Sequence, residues 1–186
     1  GLLLPESIPN ISDNLDSWGS LSFVELAQEV IAVFADDIPK YDLDAIIEQA
    51  YSSFEHEDVI GLEKLGDIHV MELFHGPTLA FKDVALQLLG GLFDYVLSKN
   101  NQHLNILGAT SGDTGSAAIA GIRGSANMDI FIMYPDEKVS PIQELQMTTN
   151  LEPNVHCIAI DGSFDDCQNL MKNIFGDLAF KKDFRL

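Results

Sequence analysis

Apolar residues recur at helical spacing in the first third of the chain, which predicts two amphipathic helices. The motif Ser22-x-x-Glu25 is a capping box that opens the first helix, and Pro39 marks the break after it. Asp42 is expected to cap the second helix. The apolar positions are Val24, Ala27, Ile31 and Phe34 in the first helix and Leu43, Ile46, Ile47, Ala50, Tyr51 and Phe54 in the second. The largely acidic stretch at residues 55–58 then predicts a solvated loop after the second helix.

A short alternating segment and a long helix follow. Residues 68–72 alternate between two faces, which predicts a strand. From Asp83 onward apolar residues recur every four positions, so a helix is predicted to run to about Ser98. These residues are Val84, Leu88, Leu92 and Val96. The pair Gly90-Gly91 costs roughly 1 kcal/mol per glycine relative to alanine. Close packing of another backbone against this helix would explain both glycines, but the sequence alone does not show it.

The remainder of the chain alternates between strands and helices. The predicted strands cover residues 104–109, 129–134 and 155–160. The predicted helices begin after Gly112, at the capping box Ser140-Pro141-Ile142-Gln143 with its proline in the first helical position, and at Ser163-x-x-Asp166. Such a series forms parallel strands joined by right-handed crossovers. The expected fold is therefore α/β, with a helical N-terminal segment followed by a three-layer βαβ unit.

The charge balance restricts the possible partners. Ten lysine and arginine residues stand against 29 aspartate and glutamate residues, for a net charge of −19. Such a chain repels nucleic acid and anionic membrane surfaces, so neither is an expected partner. No segment approaches the roughly 18 apolar residues that a membrane span requires. Cys157 and Cys167 lack CxxC spacing and are expected to be reduced thiols in a cytoplasmic protein.

The segment His75-Gly76-Pro77-Thr78-Leu79-Ala80-Phe81-Lys82-Asp83 places one lysine in an apolar turn. An ordinary surface lysine at a helix start, with its amine extended into water, is one interpretation. The other is a nucleophilic lysine, since desolvation disfavours the ammonium form and releases the neutral amine that attacks a carbonyl. A second motif favours the nucleophile.

That second motif is Thr110-Ser111-Gly112-Asp113-Thr114-Gly115-Ser116, which directly follows a predicted strand. In parallel α/β units, ligands gather where strands end and helices begin. Gly112 and Gly115 allow the backbone to approach a ligand, and the N–H groups at the helix start point toward an anion. Alone, the motif is equally typical of a capped strand-to-helix turn. Beside Lys82, we expect it to bind an anionic group.

Together the two segments resemble the threonine synthases, fold-type II enzymes that use pyridoxal 5'-phosphate. The string from His75 to Asp83 is the most specific part, and the resemblance extends through residues 140–149 and starts as early as Gly1-Leu2-Leu3-Leu4-Pro5-Glu6. It implies the tryptophan synthase beta-like fold. Members of this family are more than twice as long as the chain, so the resemblance also implies a piece that lacks the C-terminal half.

The resemblance implies a role for each candidate residue. Lys82 would be the catalytic residue, which carries the cofactor as a Schiff base and then acts as general base and acid. Asp113 would contact the cofactor at a place where many relatives have asparagine. The loop that binds the substrate carboxylate would consist of Thr110, Ser111, Gly112, Asp113, Thr114 and Gly115. Asp83 and His75 would support Lys82 indirectly, and no metal site is expected.

The implied reaction converts O-phospho-L-homoserine and water to L-threonine and phosphate, the last step of threonine biosynthesis. Residues 1–82 would lead to the cofactor lysine, residues 83–175 would form a small mobile domain, and residues 176–186 would start the connection to a large domain. The chain alone is expected to be inactive and to self-associate through uncovered apolar surface. Two alternatives stay open: another fold-type II enzyme, such as a dehydratase or a β-replacement enzyme, and a non-catalytic α/β binding module.

Overall fold

The computed structural model describes residues 4–186, so the first three residues of the segment Gly1–Glu6 lie outside the described part. After a 3-10 turn at Ser12–Asn14, the helices are α1 (Leu15–Trp18), α2 (Phe23–Ala32), α3 (Lys40–Tyr51), α4 (Asp83–Asn100), α5 (Asp113–Ile122), α6 (Pro141–Thr148), α7 (Phe164–Gly176) and α8 (Leu178–Asp183). The strands are β1 (Gly61–Leu65), β2 (Ile68–Glu72), β3 (Leu104–Ala109), β4 (Met128–Pro135) and β5 (Val155–Ile160). Among the described helices, none is both long and apolar enough to cross a membrane.

A parallel sheet forms the second half of the structure. Its strand order is β3-β4-β5, with Ile106 opposite Ile130 and Ile132 opposite Cys157. The three strands predicted from apolar runs are confirmed to within one residue at each end. Parallel neighbours require crossover connections, and here α5 joins β3 to β4 while α6 joins β4 to β5.

Both faces of this sheet are covered. Even-numbered residues of β4, from Met128 to Tyr134, pack in one core with Leu97 of α4, Ile119 of α5 and Met147 of α6. Phe131 points to the opposite face, where it shares a small apolar cavity with side chains of α7 and α8. The arrangement is helix, sheet, helix, which confirms the expected three-layer α/β fold.

The N-terminal helices form a second core. Leu43, Ile47 and Tyr51 of α3 are buried there, together with apolar residues of α2. α4 contributes residues such as Val84 to this core and Leu97 to the sheet core. The phenolic O–H of Tyr51 also donates to the carbonyl of Val84 over 3.1 Å. α4 therefore joins the helical segment to the βαβ unit.

Glycines bring α4 and α5 into direct backbone contact. A Cβ on Gly90 would collide with the carbonyl oxygen of Gly121, and a Cβ on Gly121 would lie 2.5 Å from the carbonyl oxygen of Leu86. At Gly91 the nearest atom to an added Cβ is instead the Cγ2 of Ile46, at 2.9 Å. Close approach of another backbone thus explains the glycine at position 90, whereas Gly91 faces a side chain.

Gly90→Ala is expected to destabilise the chain by about 2 kcal/mol, although alanine favours a helix, because the added methyl group forces two backbones apart. Urea unfolding measures the change in the free energy of unfolding. Gly91→Ala is the matched control and should cost much less, since a side-chain methyl can move aside. Equal effects at the two positions would show that the backbone contact is not what requires Gly90.

Two details of the N-terminal helices differ from the prediction. α2 ends at Ala32, so Phe34 lies beyond it and is exposed, and Phe54 likewise follows the end of α3. The residue that caps α3 is Pro39, whereas Asp42 lies in the first turn. There its carboxylate accepts a hydrogen bond from the phenolic O–H of Tyr95 over 2.8 Å, a long-range contact that competes with capping.

The predicted strand at residues 68–72 is confirmed, but its partner was not predicted. β1 pairs with β2 in an antiparallel hairpin, with Leu62 opposite Met71 and Leu65 opposite Ile68. Leu62 and Leu65 remain about two-thirds exposed, at 66% each. Because Glu63 and Lys64 interrupt the apolar pattern, this strand has no clear sequence signal.

Candidate functional site

The buried carboxylate of Asp83 organises the turn that carries Lys82. Asp83 is the first residue of α4 and is 0% exposed. It accepts hydrogen bonds from the backbone N–H and the hydroxyl of Thr78, both over 2.8 Å, and from Nε2 of Gln87 over 3.2 Å. A Cβ on Gly76 would come within 2.5 Å of Asp83, so the turn packs directly on this residue. A buried charge is tolerated only when it is hydrogen-bonded, and here the donors all belong to the lysine turn (residues 75–83) or to α4.

Lys82 directly precedes α4 and is half-buried. Its Nζ lies 4.3 Å from the centre of the Phe81 ring. In residues 4–186 no carboxylate oxygen lies within 4.0 Å of this amine, since the ion pairs of the lysines involve other residues. Leu79 and Phe81 are both more than half exposed. The amine thus has no ion-pair partner among the described residues and lies over an aromatic ring, and its role as the nucleophile stays a prediction.

Asp83→Asn is expected to destabilise the chain by about 1–3 kcal/mol, because the new amide group faces donors and leaves at least one of them unpaired. Thermal unfolding should show the loss, and hydrogen exchange should become faster in residues 76–82. Asp165→Asn, an exposed change in the first turn of α7, is the control and should have little effect. Native stability of Asp83→Asn would contradict the role of the carboxylate as the centre of the turn.

Thr110 organises the glycine turn (residues 110–116), as Asp83 organises the lysine turn. It is buried, and its Oγ1 accepts hydrogen bonds from the N–H groups of Gly112 over 3.0 Å and Gly115 over 2.9 Å. The hydroxyl itself donates to the carbonyl of Gly112 over 3.2 Å, which also accepts from the buried hydroxyl of Ser116. The side chain of Thr110 is therefore engaged inside the turn, and its backbone N–H donates to the carbonyl of Met133 over 2.9 Å.

The two glycines of this turn make room for protein atoms. A Cβ on Gly115 would lie 2.6 Å from the Cγ2 of Thr110 and 2.8 Å from the Sδ of Met147. A Cβ on Gly112 would lie 2.5 Å from the Cδ of Gln143, and Gly112 has a φ of +142°. Residues other than glycine rarely adopt that backbone conformation. Glycine is needed at both positions for packing, whatever the turn binds.

Three residues of the turn face solvent. Ser111, Asp113 and Thr114 are exposed, whereas Thr110, Gly112 and Gly115 are buried. Asp113 and Thr114 begin α5, where the first N–H groups of a helix have no intrahelical carbonyl to bind. The N–H groups of Gly115 and Ser116 already donate to Thr110 Oγ1 and to the carbonyl of Gly112. The turn therefore offers backbone donors, a helix N-terminus and exposed hydroxyls, a combination that suits an anion.

α6 contributes contacts that were not predicted. Ser140 caps α6 by accepting from the N–H of Gln143, as expected, but the Gln143 side chain does not complete the capping box. Its Nε2 donates instead to Oδ1 of Asp113. Gln146 donates to the carbonyl of Thr78 over 3.0 Å. α6 lies beside these turns because of the path that the chain takes through β4. A local motif such as the capping box therefore cannot predict these two contacts.

Gln87 of α4 connects the lysine turn to α5, the helix that begins in the glycine turn. This buried side chain donates both to Asp83 and to the carbonyl of Ala117 in α5, over 3.2 Å in each case. A single glutamine among the apolar residues of this helix could have indicated such a contact from the sequence, since buried polar side chains are hydrogen-bonded. The structure thus connects the lysine turn and the glycine turn through α4 as well as through α6.

His75 lies at the start of the lysine turn. Its Nε2 is 2.8 Å from Oε2 of Glu72, and its ring centre is 4.6 Å from that of His56. Its carbonyl accepts from the N–H of Glu55 over 2.9 Å. These contacts attach the acidic loop to the turn, and a supporting role of His75 toward Lys82 stays a prediction.

Both cysteines are free, as predicted. Cys167 is buried in α7, and Cys157 lies partly buried in β5. Burial raises the pKa of both thiols, because it disfavours the thiolate. They are therefore protonated thiols rather than reactive thiolates at neutral pH.

Comparisons with known proteins agree with these features. The family model described as "Threonine synthase N terminus" matches residues 1–51. Threonine synthase of Pseudomonas aeruginosa is 51% identical over 189 residues, which cover 100% of this chain and 40% of that protein. Threonine synthase of Schizosaccharomyces pombe is 47% identical, over 98% of this chain and 38% of that protein.

A solved structure shows the same likeness. The crystal structure of PLP-bound threonine synthase from Brucella melitensis superposes with a TM-score of 0.93 and 45% identity, over 99% of this chain and 40% of that one. The chain thus spans about two fifths of the length of the relatives that it matches. The sequence matches and the fold match each extend over at least 98% of the chain, and the chain therefore belongs to the threonine synthase family.

Proposed function

We propose that this chain is the part of a pyridoxal-phosphate-dependent threonine synthase that carries the catalytic lysine and the substrate-carboxylate turn. The reaction is the conversion of O-phospho-L-homoserine and water to L-threonine and phosphate. The observation that carries the proposal is Lys82, an amine without a charged partner among the described residues, in a turn built on the buried Asp83. Family membership supports the substrate and the type of reaction, a lyase reaction that releases phosphate.

The residues of the chain fit the cofactor. Covalent attachment of an aldehyde requires an accessible amine, and the Nζ of Lys82 lies over the face of the Phe81 ring, without an ion-pair partner among the described residues. The neighbouring side chains of Leu79 and Phe81 offer apolar surface to a planar ring. Pyridoxal phosphate, when bound, supplies the electron sink that makes protons at Cα and Cβ of an amino acid removable.

Lys82 is assigned the proton transfers. Its amine takes a proton from Cα of the substrate and later one from Cβ, so that the Cγ–O bond breaks and phosphate leaves. A proton is returned to Cγ, water then adds its hydroxyl at Cβ, and a proton is returned to Cα to complete L-threonine. Asp83 is assigned a supporting role: it fixes the backbone that carries the amine and is itself buried away from the reacting atoms. His75 supports the start of the same turn.

The glycine turn is assigned the substrate carboxylate. In a chain with a net charge of −19, anions have to be held by local dipoles and N–H groups rather than by the overall field. The start of α5 supplies such donors, together with the hydroxyls of Ser111 and Thr114. Thr110, Gly112 and Gly115 give the turn its shape. We assign cofactor contact to Asp113, whose carboxylate is oriented by Gln143.

The test is product analysis with a full-length enzyme that carries this chain. Phosphate and L-threonine should form in equal amounts from O-phospho-L-homoserine. Pyruvate or a 2-oxo acid from serine or threonine, without phosphate release, would instead indicate a dehydratase. Transfer of a thiol to an activated serine would indicate a β-replacement enzyme. A purified protein without any cofactor absorbance would favour a non-catalytic binding module.

The isolated chain is expected to be inactive and to bind pyridoxal phosphate weakly and nonspecifically, because it spans only about two fifths of its relatives. Titration followed by absorbance and borohydride reduction measures the binding and its site. Tight binding at one equivalent by residues 1–186 alone would contradict this expectation.

Three further expectations concern the whole molecule. We propose that residues 83–175 act as a small mobile domain that closes on the substrate and excludes water, that residues 1–82 lead to Lys82, and that residues 176–186 begin a connection. The isolated chain should self-associate, because the hairpin β1–β2 exposes Leu62, Leu65, Ile68 and Met71. Two free thiols favour a cytoplasmic location, where they stay reduced.

A further inference from the structure

Two glutamines of α6 contact both turns of the candidate site. Gln143 lies against Gly112, and its Nε2 donates to Asp113 at the start of α5. Gln146 is three residues further along the helix, on the same side, and donates to the carbonyl of Thr78 over 3.0 Å. One short helix thus contacts the glycine turn through one side chain and the lysine turn through the other.

The orientation of the Gln143 amide is set by Ser140. The hydroxyl of Ser140 donates to Oε1 of Gln143 over 2.9 Å, which directs the NH2 group of the amide toward Asp113. An ionised carboxylate can only accept hydrogen bonds, so a fixed donor is the partner that it requires. The exposed carboxylate of Asp113 is therefore held in one place although it lies at the surface of the turn.

Gln146 binds the last free polar group of Thr78. The N–H and the hydroxyl of Thr78 already donate to the buried carboxylate of Asp83. With its carbonyl accepting from Gln146, Thr78 cannot move without losing one of these contacts. Any shift of α6 is therefore transmitted to the turn that carries Lys82.

We propose that Gln143 and Gln146 are positioning residues, which set the placement of the glycine turn relative to Lys82. The inference rests on the proposed function, because it assumes that both turns act on one substrate. Gln143 acts through Gly112 and Asp113, and Gln146 acts through Thr78. A misplacement of about 1 Å between reacting groups can cost roughly a hundredfold in rate, so this helix controls turnover without taking part in the chemistry.

The first test uses Gln143→Glu in a full-length enzyme that carries this chain. The introduced carboxylate faces Asp113, so the turn is pushed away and kcat should fall by about a hundredfold, in line with the cost of misplacement. The double variant Gln143→Glu/Asp113→Asn restores a donor–acceptor pair of reversed direction with the native net charge. Its kcat should be at least about tenfold higher than that of Gln143→Glu alone, because the geometry of the pair is restored. Asp113→Asn alone completes the cycle.

The second test uses Gln146→Met, which keeps the length of the side chain and removes its donor. We expect kcat to fall by about tenfold, because a single positioning contact is lost. Hydrogen exchange should become faster in residues 76–83 for this variant and in residues 110–116 for Gln143→Glu. Gln102→Met and Gln102→Glu, changes at an exposed glutamine after α4, are the matched controls and should leave both measurements unchanged.

The outcomes separate this inference from the proposed function. Absence of cofactor on Lys82, or of phosphate release, in the unmodified enzyme would contradict the proposed function, while hydrogen exchange would still test the two contacts. Native kcat in Gln143→Glu and Gln146→Met, or unchanged exchange in both turns, would overturn the positioning role. Failure of the double variant to restore native hydrogen exchange in residues 110–116 would overturn it for Gln143, since Asp113 is itself assigned to the cofactor and kcat alone does not separate the two effects.

Discussion

Replacing Lys82 by alanine is expected to abolish covalent retention of pyridoxal phosphate in a full-length enzyme that carries this chain. The amine at this position is in contact with the Phe81 ring and has no ion-pair partner in the described chain, so it is available to react with an aldehyde. Borohydride reduction followed by peptide mass spectrometry should locate the cofactor on the peptide with Lys82 and find none in the variant. Turnover should fall by at least about 10³-fold, since attachment and proton transfer are lost together.

Lys64→Ala and Lys99→Ala are the matched controls. Lys99 is bound to Tyr95 and Asp42, and these contacts raise the pKa of its amine, with the hydrogen bond to Tyr95 as the largest cause. A raised pKa keeps the amine protonated and unreactive. Both controls should retain the cofactor. Reduced cofactor on Lys64 or Lys99 would show that Lys82 is assigned wrongly.

Gly112→Val is expected to lower turnover by orders of magnitude, about 10²-fold or more, while the cofactor stays on Lys82. A side chain at this position collides with Gln143, and valine is strained at a φ of +142°. The turn must therefore shift, and its backbone donors then miss the substrate carboxylate. Phosphate release from O-phospho-L-homoserine measures the loss, and borohydride reduction verifies the cofactor.

Gly176→Val provides the control for this change. Gly176 ends α7, and an added Cβ there would meet no atom within 4 Å, so valine should leave turnover near the native value. Ser111→Ala should lower turnover less than Gly112→Val does, since the backbone N–H groups stay in place. Normal phosphate release by Gly112→Val would mean that the turn is only a scaffold and that the carboxylate is bound elsewhere.

Local signals were sufficient for much of the fold. The capping motifs at Ser22 and Ser163 form as predicted, because a capping box depends on residues three positions apart. The strands of the parallel sheet follow from continuous apolar runs, since a strand buried on both faces has apolar residues on both sides. The helical cost of Gly90 and Gly91 showed that these glycines need an explanation, but only the structure shows the backbone contact at Gly90.

Predictions failed where a distant residue competed with a local one. Asp42 binds Tyr95, 53 positions away, instead of capping α3, and Gln143 binds Asp113, 30 positions away, instead of completing its box. β1 was not predicted because its pairing with β2 does not bury its apolar side chains.

The sequence by itself determined the family, the lysine turn and the glycine turn, because each depends on residues that are neighbours along the chain. Only the tertiary structure decided how these turns are held. The contact between Gln146 and Thr78 spans 68 positions, and the one between Gln87 and Ala117 spans 30. Partners that are so far apart meet only after the helices have packed on the sheet, so the placement of Lys82 relative to the glycine turn is a property of the folded core.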